Sequence, residues 1–187
     1  MRPVTRDELL DYMTYTDRRP ELRPGILQAK SVRRAMVGPY LAFFFENHDT
    51  VWYQIQEMMR VERIVREKDI ERERDTYNEL LGGPGELGVT LLIGITDPEA
   101  RKVKLSQWVD LLPRLYCELE DGTKVRASWD ERQVDPSKLS SVQFLTFDVQ
   151  GQVPVAIGTD HSDPELGLRT ALPQPVRDAL AADLAAD

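Results

Sequence analysis

Cysteine, histidine, long apolar runs and positive charge are all in short supply in this chain of 187 residues, and each shortage excludes something. With Cys117 alone, an intrachain disulfide, a cysteine zinc ribbon and a self-contained iron–sulfur site are ruled out. The longest apolar stretches, near 40–45 and 89–95, fall far short of the roughly 20 residues that cross a bilayer. No membrane insertion is therefore expected. The N-terminal MRPVTRDELLDYM lacks the apolar block of a signal peptide, so the expected location is the cytoplasm. Lys and Arg number 24 against 32 Asp and Glu, a net charge of −8. Phosphate neutralisation needs clustered cations, so no nucleic-acid partner is expected. Lys30, Arg33 and Arg34 suffice for a small anion at most.

What is present suits a folded chain. Hydrophobic residues make up 41% and charged residues 30%, enough of the first to build a core. Thr5 and Glu8 form a capping box for a short first helix whose apolar side is Leu9, Leu10 and Met13. DRRPELRPG, with two prolines and a glycine, reads as a connector. Arg34 to Phe45 reads as an extended interior segment, apolar on both sides, with a bend at Gly38-Pro39. A helix capped by Asp49 or Thr50 follows. Val51, Ile55, Met58 and Val65 predict its buried stripe, with Glu62 on the same line. An unbroken rod from Thr50 to Leu81 would run roughly 48 Å, so a break near 66–69, or a charged arm reaching for a partner, is expected.

LGVTLLIGIT predicts a buried strand. The next helix takes Thr96 and Glu99 as its capping box and Ala100, Val103, Gln107/Trp108 and Leu111 as its inner face. The hairpin in RLYCELEDGTKVRASW allows a sharper inference. A two-residue Asp-Gly turn would set Leu115, Cys117 and Leu119 against Ser128, Arg126 and Lys124. A three-residue loop, Glu120-Asp121-Gly122 with Gly122 left-handed, pairs them with Ala127, Val125 and Thr123 instead. Strands at about 141–149 and 153–158 and a helix from Pro175, burying Val176, Ala179/Leu180 and Leu184, complete one α+β domain over 1–187. Its sheet is expected to be largely antiparallel or mixed, with a long charged helix and a second packed helix.

Chemistry has two places to sit. FENHDT brings Glu46, Asn47, His48 and Asp49 to a strand–helix junction, with Gln54, Glu57 and Glu62 on the helix beyond. IGTDHSDPE places Asp160 and His161 after another strand. Both histidines of the chain thus follow a strand end beside an aspartate. If the fold joins them, Glu46, His48, Glu62, Asp160 and His161 make a small polar pocket for proton transfer or for one divalent metal, with His48 and His161 as its ligands. Caps and turns explain the same letters. No cofactor motif is evident: the Glu-x-x-His pairs of a di-iron bundle are missing, and LLGGPGELG runs from helix to strand, opposite to a phosphate loop. Cys117 alternates with Leu115 and Leu119, the pattern of a buried small residue.

FENHDTVWYQIQEMMRVE, AIGTDH and the closing VRDALAADL together resemble a bacterial family known as domain of unknown function 3501, over almost the whole chain. Genes of that family lie near those of rubrerythrin-like ferritin-fold proteins and cysteine-rich iron–sulfur oxidoreductase subunits. The resemblance implies an accessory role beside a peroxide-detoxifying or electron-transfer system, with a rubrerythrin-like or iron–sulfur protein as partner. It assigns no catalytic residues.

Overall fold

Alternation along the strands sorts apolar side chains to one face, and a computed structural model, which describes residues 1–131, 135 and 137–186, shows what that face covers. The elements run α1 (Tyr12–Ser31), β1 (Arg34–Val37), β2 (Leu41–Phe45), α2 (His48–Glu62), α3 (Glu67–Asn78), β3 (Glu86–Ile93) and α4 (Pro98–Gln107). After these come β4 (Leu115–Glu118), β5 (Lys124–Arg126), β6 (Val142–Asp148), β7 (Ala156–Thr159), β8 (Arg169–Ala171) and α5 (Gln174–Ala185). The strands form two antiparallel four-stranded sheets, ordered β1-β2-β3-β6 and β5-β4-β7-β8. The fold is α+β.

The first sheet turns Leu41, Phe43, Phe45, Leu87, Val89, Leu91, Leu145 and Phe147 inward, against Leu115, Cys117, Leu119 and Ile157 of the second. Leu105 and Trp108 from the end of α4, and Val176 and Leu180 from α5, join the same core. The sheets also meet at both edges. Ser128 and Thr146 exchange backbone hydrogen bonds of 2.8 and 2.9 Å, and the Thr170 hydroxyl donates to the Met36 carbonyl at 2.7 Å.

A second apolar cluster gathers Val4, Leu9, Val51, Ile55, Met59 and Ile70 among the chain start, α2 and α3. Polar links join its parts: Val4 and Asn78 exchange two hydrogen bonds of 2.9 Å, the Leu10 amide donates to Gln56 at 2.7 Å, and Arg6 pairs with Glu67.

The hairpin inference holds. Cys117 faces Val125, the Gly122 amide donates to the Leu119 carbonyl, and Gly122 sits at φ +84°, where a Cβ would be strained. The break in the charged rod is real but earlier: Arg63 at φ 53° ends α2, and α3 starts at Glu67. Other expectations need correction. The Thr5–Glu8 box forms, yet it caps a single 3-10 turn, and α1 begins separately with Asp11 as its cap. The expected connector is helical, with Pro20 and Pro24 inside α1. Each proline removes one donor, and this helix is exposed enough for solvent to hydrate the freed carbonyls.

The extended segment 34–45 is a hairpin: Gly38 at φ +60° reverses the chain, leaving β2 interior between β1 and β3. On α2 the inward residues are Val51, Ile55 and Met59. Met58 is half-buried, while Glu62 and Val65 are exposed, since the helix ends before the stripe can continue. Asp97, not Thr96, caps α4, accepting from the Ala100 amide at 2.7 Å, and Val103 faces outward. The short β8 has no counterpart among the expected strands.

Candidate functional site

The junction between β2 and α2 is built from hydrogen bonds among its own neighbours. Asn47 caps α2, its Oδ1 accepting from the Thr50 amide at 3.0 Å while the Thr50 hydroxyl accepts from the Asn47 amide at 2.9 Å. The cap therefore sits two or three residues before the expected Asp49 or Thr50. Asn47 Nδ2 also donates to Asp183 Oδ1 at 3.0 Å, and Arg33 clasps both oxygens of Asp183 at 2.7 and 2.9 Å. Arg33 and Asp183 are nearly buried, so this fork ties β1, α2 and α5 at a desolvated seam.

Glu46 is buried and turns to the outer side of the first sheet. Its oxygens accept from Thr90 at 2.7 Å, Thr50 at 2.5 Å and Gln54 at 3.1 Å, all neutral donors. Three hydrogen bonds are what make a buried carboxylate tolerable without a cation. Glu57 is held differently. It accepts from Tyr15 at 2.6 Å, from Arg19 at 2.6 and 3.0 Å, and from Arg60 at 3.2 Å, fastening α2 to α1. Burial pushes the Glu57 carboxyl up, but Arg19, Tyr15 and Arg60 outweigh it and hold the pKa down at about 2.

The two histidines keep separate company. His48 lies beside Arg2 at 2.9 Å, Glu8 at 3.2 Å and Asp49 at 3.2 Å, on the chain start. The Arg2 guanidinium, helped by Thr5 and His48 against opposing burial, holds Glu8 down at about 2. His161 is buried beyond β7. Its Nδ1 accepts from the Asp163 amide at 3.0 Å, so the proton sits on Nε2 and is donated to Asp110 at 2.9 Å. Both ring nitrogens are engaged, which leaves no lone pair for a metal. Asp160 pairs with Arg126 at 2.6 Å, and Glu62 is in solvent. The expected pocket of Glu46, His48, Glu62, Asp160 and His161 is thus not assembled, and among the described residues no three His, Cys, Asp or Glu side chains gather as a metal cage. Residues alike in sequence surroundings end on different elements. Cys117 is fully buried, and burial pushes its thiol well up.

An open hollow of about 290 Å³ lies at the junction itself, lined by Arg2, Arg33, Asn47, His48, Asp49 and Asp183, and a roomier one opens elsewhere. A cleft of about 490 Å³ opens between α3, the outer side of β6 and the segment 128–130. Tyr77 walls it from α3 and Leu80 from the turn that follows, Phe144 and Thr146 from β6, and Trp129 closes the third side. A smaller hollow of about 230 Å³ lies along α2 at Tyr53, Gln54 and Met58, and Tyr77 borders both. Gln54 thus lines this hollow while donating to Glu46 behind it. Gly88 makes the close seating possible, because a Cβ there would meet the Leu80 carbonyl at 1.9 Å. Of the residues expected to act, Gln54 and Glu57 line the hollow along α2, and Asn47, His48 and Asp49 line the one at the junction. Phe144 carried a signal in the sequence, an aromatic out of phase with the inward Leu145 and Phe147, whereas Tyr77 and Trp129 carried none.

Comparison with known proteins places the chain. No curated protein matches it. A solved structure from Burkholderia pseudomallei, described as a novel protein of unknown function, is similar at 29% identity with a TM-score of 0.88, over 98% of this chain and 100% of that one. The family model described as protein of unknown function (DUF3501) matches residues 3–184. On that span the chain belongs to the DUF3501 family.

Proposed function

We propose that this protein is an accessory module that docks onto a partner in a peroxide-detoxifying or electron-transfer system, a rubrerythrin-like protein or an iron–sulfur subunit. The contact is the outer face of the first sheet. Strand register sets Met36, Ala42, Leu92 and Val142 in one row across four strands, and Arg34, Phe44, Thr90 and Phe144 in the next. Met36, Leu92, Val142 and Phe144 are 37% to 42% exposed, and Arg34 lies over the Phe44 ring. Large apolar side chains in adjoining rows on a sheet face mark an interaction surface. This row is the single observation that supports docking. The redox nature of the partner rests on the family's gene neighbourhood.

The charged face of α3 is not the chosen contact. Ile70 is buried in the helical cluster and Arg6 pairs with Glu67, so α3 folds back onto its own chain. The test is native purification at low salt without oxygen, with the chain as bait. The wild-type chain should retain a redox protein that the Leu92→Asp/Val142→Asp variant, still folded, loses. Retention of none, or equal retention by both, overturns the reading.

A further inference from the structure

We infer that the loop 160–168, between β7 and β8, is a proton-sensitive latch keyed by His161: it is closed while the imidazole is neutral and opens when the ring is charged. The His161 side chain is only 6% exposed, and both of its nitrogens are already committed. Nε2 donates to Asp110 at 2.9 Å, and Nδ1 accepts from the Asp163 amide at 3.0 Å. An imidazolium carries a proton on each nitrogen. The second proton can enter only at Nδ1, where the Asp163 N–H already points. Two N–H donors cannot share that line, so the charged ring must turn the Asp163 amide away.

Asp163 is the pivot of the loop. Its carbonyl accepts from the Leu166 and Gly167 amides at 2.9 and 2.8 Å, and its carboxylate accepts from the Glu165 amide and the Trp108 indole, each at 2.9 Å. Glu165 takes a hydrogen bond from the Tyr40 hydroxyl at 3.2 Å and pairs with Lys104, whose ammonium lies 5.0 and 5.1 Å from the Tyr40 and Trp108 rings. Moving Asp163 therefore loosens the loop from α4 and from the β1–β2 turn together. Among the described residues, the charges around the ring are Asp110, paired with Arg114; Asp160, paired with Arg126 of β5; and Asp163 with Glu165 and Lys104. The three aspartates are held below the ordinary carboxyl range, Asp110 by His161 first, Asp160 by Arg126 and Asp163 by the Glu165 amide. They stay acceptors while an imidazole titrates, and none takes up the proton in place of Nδ1. The Asp110 carboxylate favours a charged ring, whereas the Asp163 amide favours a neutral one. Movement of the loop relieves that conflict.

This inference goes beyond docking and uses none of its residues, so the two fail separately. The latch should be complete above the range in which imidazoles charge and lost as pH falls through it. The experiment is an NMR titration of the isotope-labelled full chain between about pH 8 and 5. The Asp163 amide and Trp108 indole N–H signals should shift with the same midpoint as the His161 ring carbons. Across that midpoint the protection of the Leu166 and Gly167 amides, taken relative to their intrinsic exchange rates, should fall about fivefold, while β3 and β6 keep theirs. His161→Gln supplies an oxygen for the Asp163 amide but cannot charge, and should remove all of these shifts. If that variant does not fold, the coincidence of midpoints in the wild type decides by itself. A ring that charges while the Asp163 and Trp108 signals stay in place, a ring still neutral at about pH 5, or an unchanged loop titration in His161→Gln overturns the inference.

Discussion

The inter-sheet core and the helical layer are held by different physics. Between the sheets the closure is apolar, and even Cys117 serves there as a small hydrophobe. The layer of α1, α2 and α3 has a smaller cluster and relies on charged links: Glu57 with Tyr15, Arg19 and Arg60, Glu8 with Arg2, Arg6 with Glu67. The first region should respond to volume and the second to pH. The Arg33–Asp183–Asn47 fork belongs to neither and joins the two through α5.

The largest effect should follow a cavity between the sheets. Phe43 is fully buried on the interior strand β2, so Phe43→Ala should cost about 4 kcal/mol in urea unfolding. Next comes the seam. Asp183→Ala strands the nearly buried Arg33 without its carboxylate, at a cost of about 3 kcal/mol. A loss of under 1 kcal/mol for Asp183→Ala would show that solvent reaches the fork and that it joins the two regions only loosely.

Sequence reading reached the parts of this comparison that are local. The β4–β5 loop followed from register, because one choice keeps Leu115, Cys117 and Leu119 inward and the other does not. The β2–α2 junction was recognisable as polar, but its meaning lay far away. Asn47 meets Asp183, 136 residues on, and Glu46 meets Thr90, 44 residues on. Short polar letters at a strand end serve capping, ion pairing or catalysis equally well, and only tertiary partners decide. The α1 prolines read as a connector because propensity cannot see Tyr15 and Arg19 anchoring that helix to Glu57. The cleft was hidden because its rings come from α3, the 128–130 segment and β6, with no spacing to link them.

The third effect separates the regions by pH. Glu57→Gln keeps the shape and removes the charge that gathers Arg19 and Arg60, and should cost about 2 kcal/mol. The folded Glu57 carboxyl is at about 2 against an ordinary 4.5. Its contribution is therefore complete above roughly pH 4.5 and is lost as pH falls toward about 2. Glu8, also at about 2, acts in the same direction. Between pH 5 and 2, hydrogen-exchange protection, taken relative to the intrinsic rate that itself slows as pH falls, should drop in α1 and α2 before β3 and β6, and Glu57→Gln should flatten that difference. Simultaneous loss in both regions would remove the distinction.

The smallest effect concerns Glu62, which continues the line of Ile55 and Met59 by helical spacing. If that line were buried along its whole length, Glu62 would be a desolvated carboxylate, and Glu62→Ala would change stability by more than 1 kcal/mol in one direction or the other. Instead α2 stops at Glu62, Arg63 turns the chain in the left-handed region, and the side chain is exposed. Glu62→Ala should then stay within about 0.5 kcal/mol of the wild type in urea unfolding. Its acid response should also keep the full Glu57 profile, because the two carboxylates sit on different sides of α2: one answers to α1, the other to water.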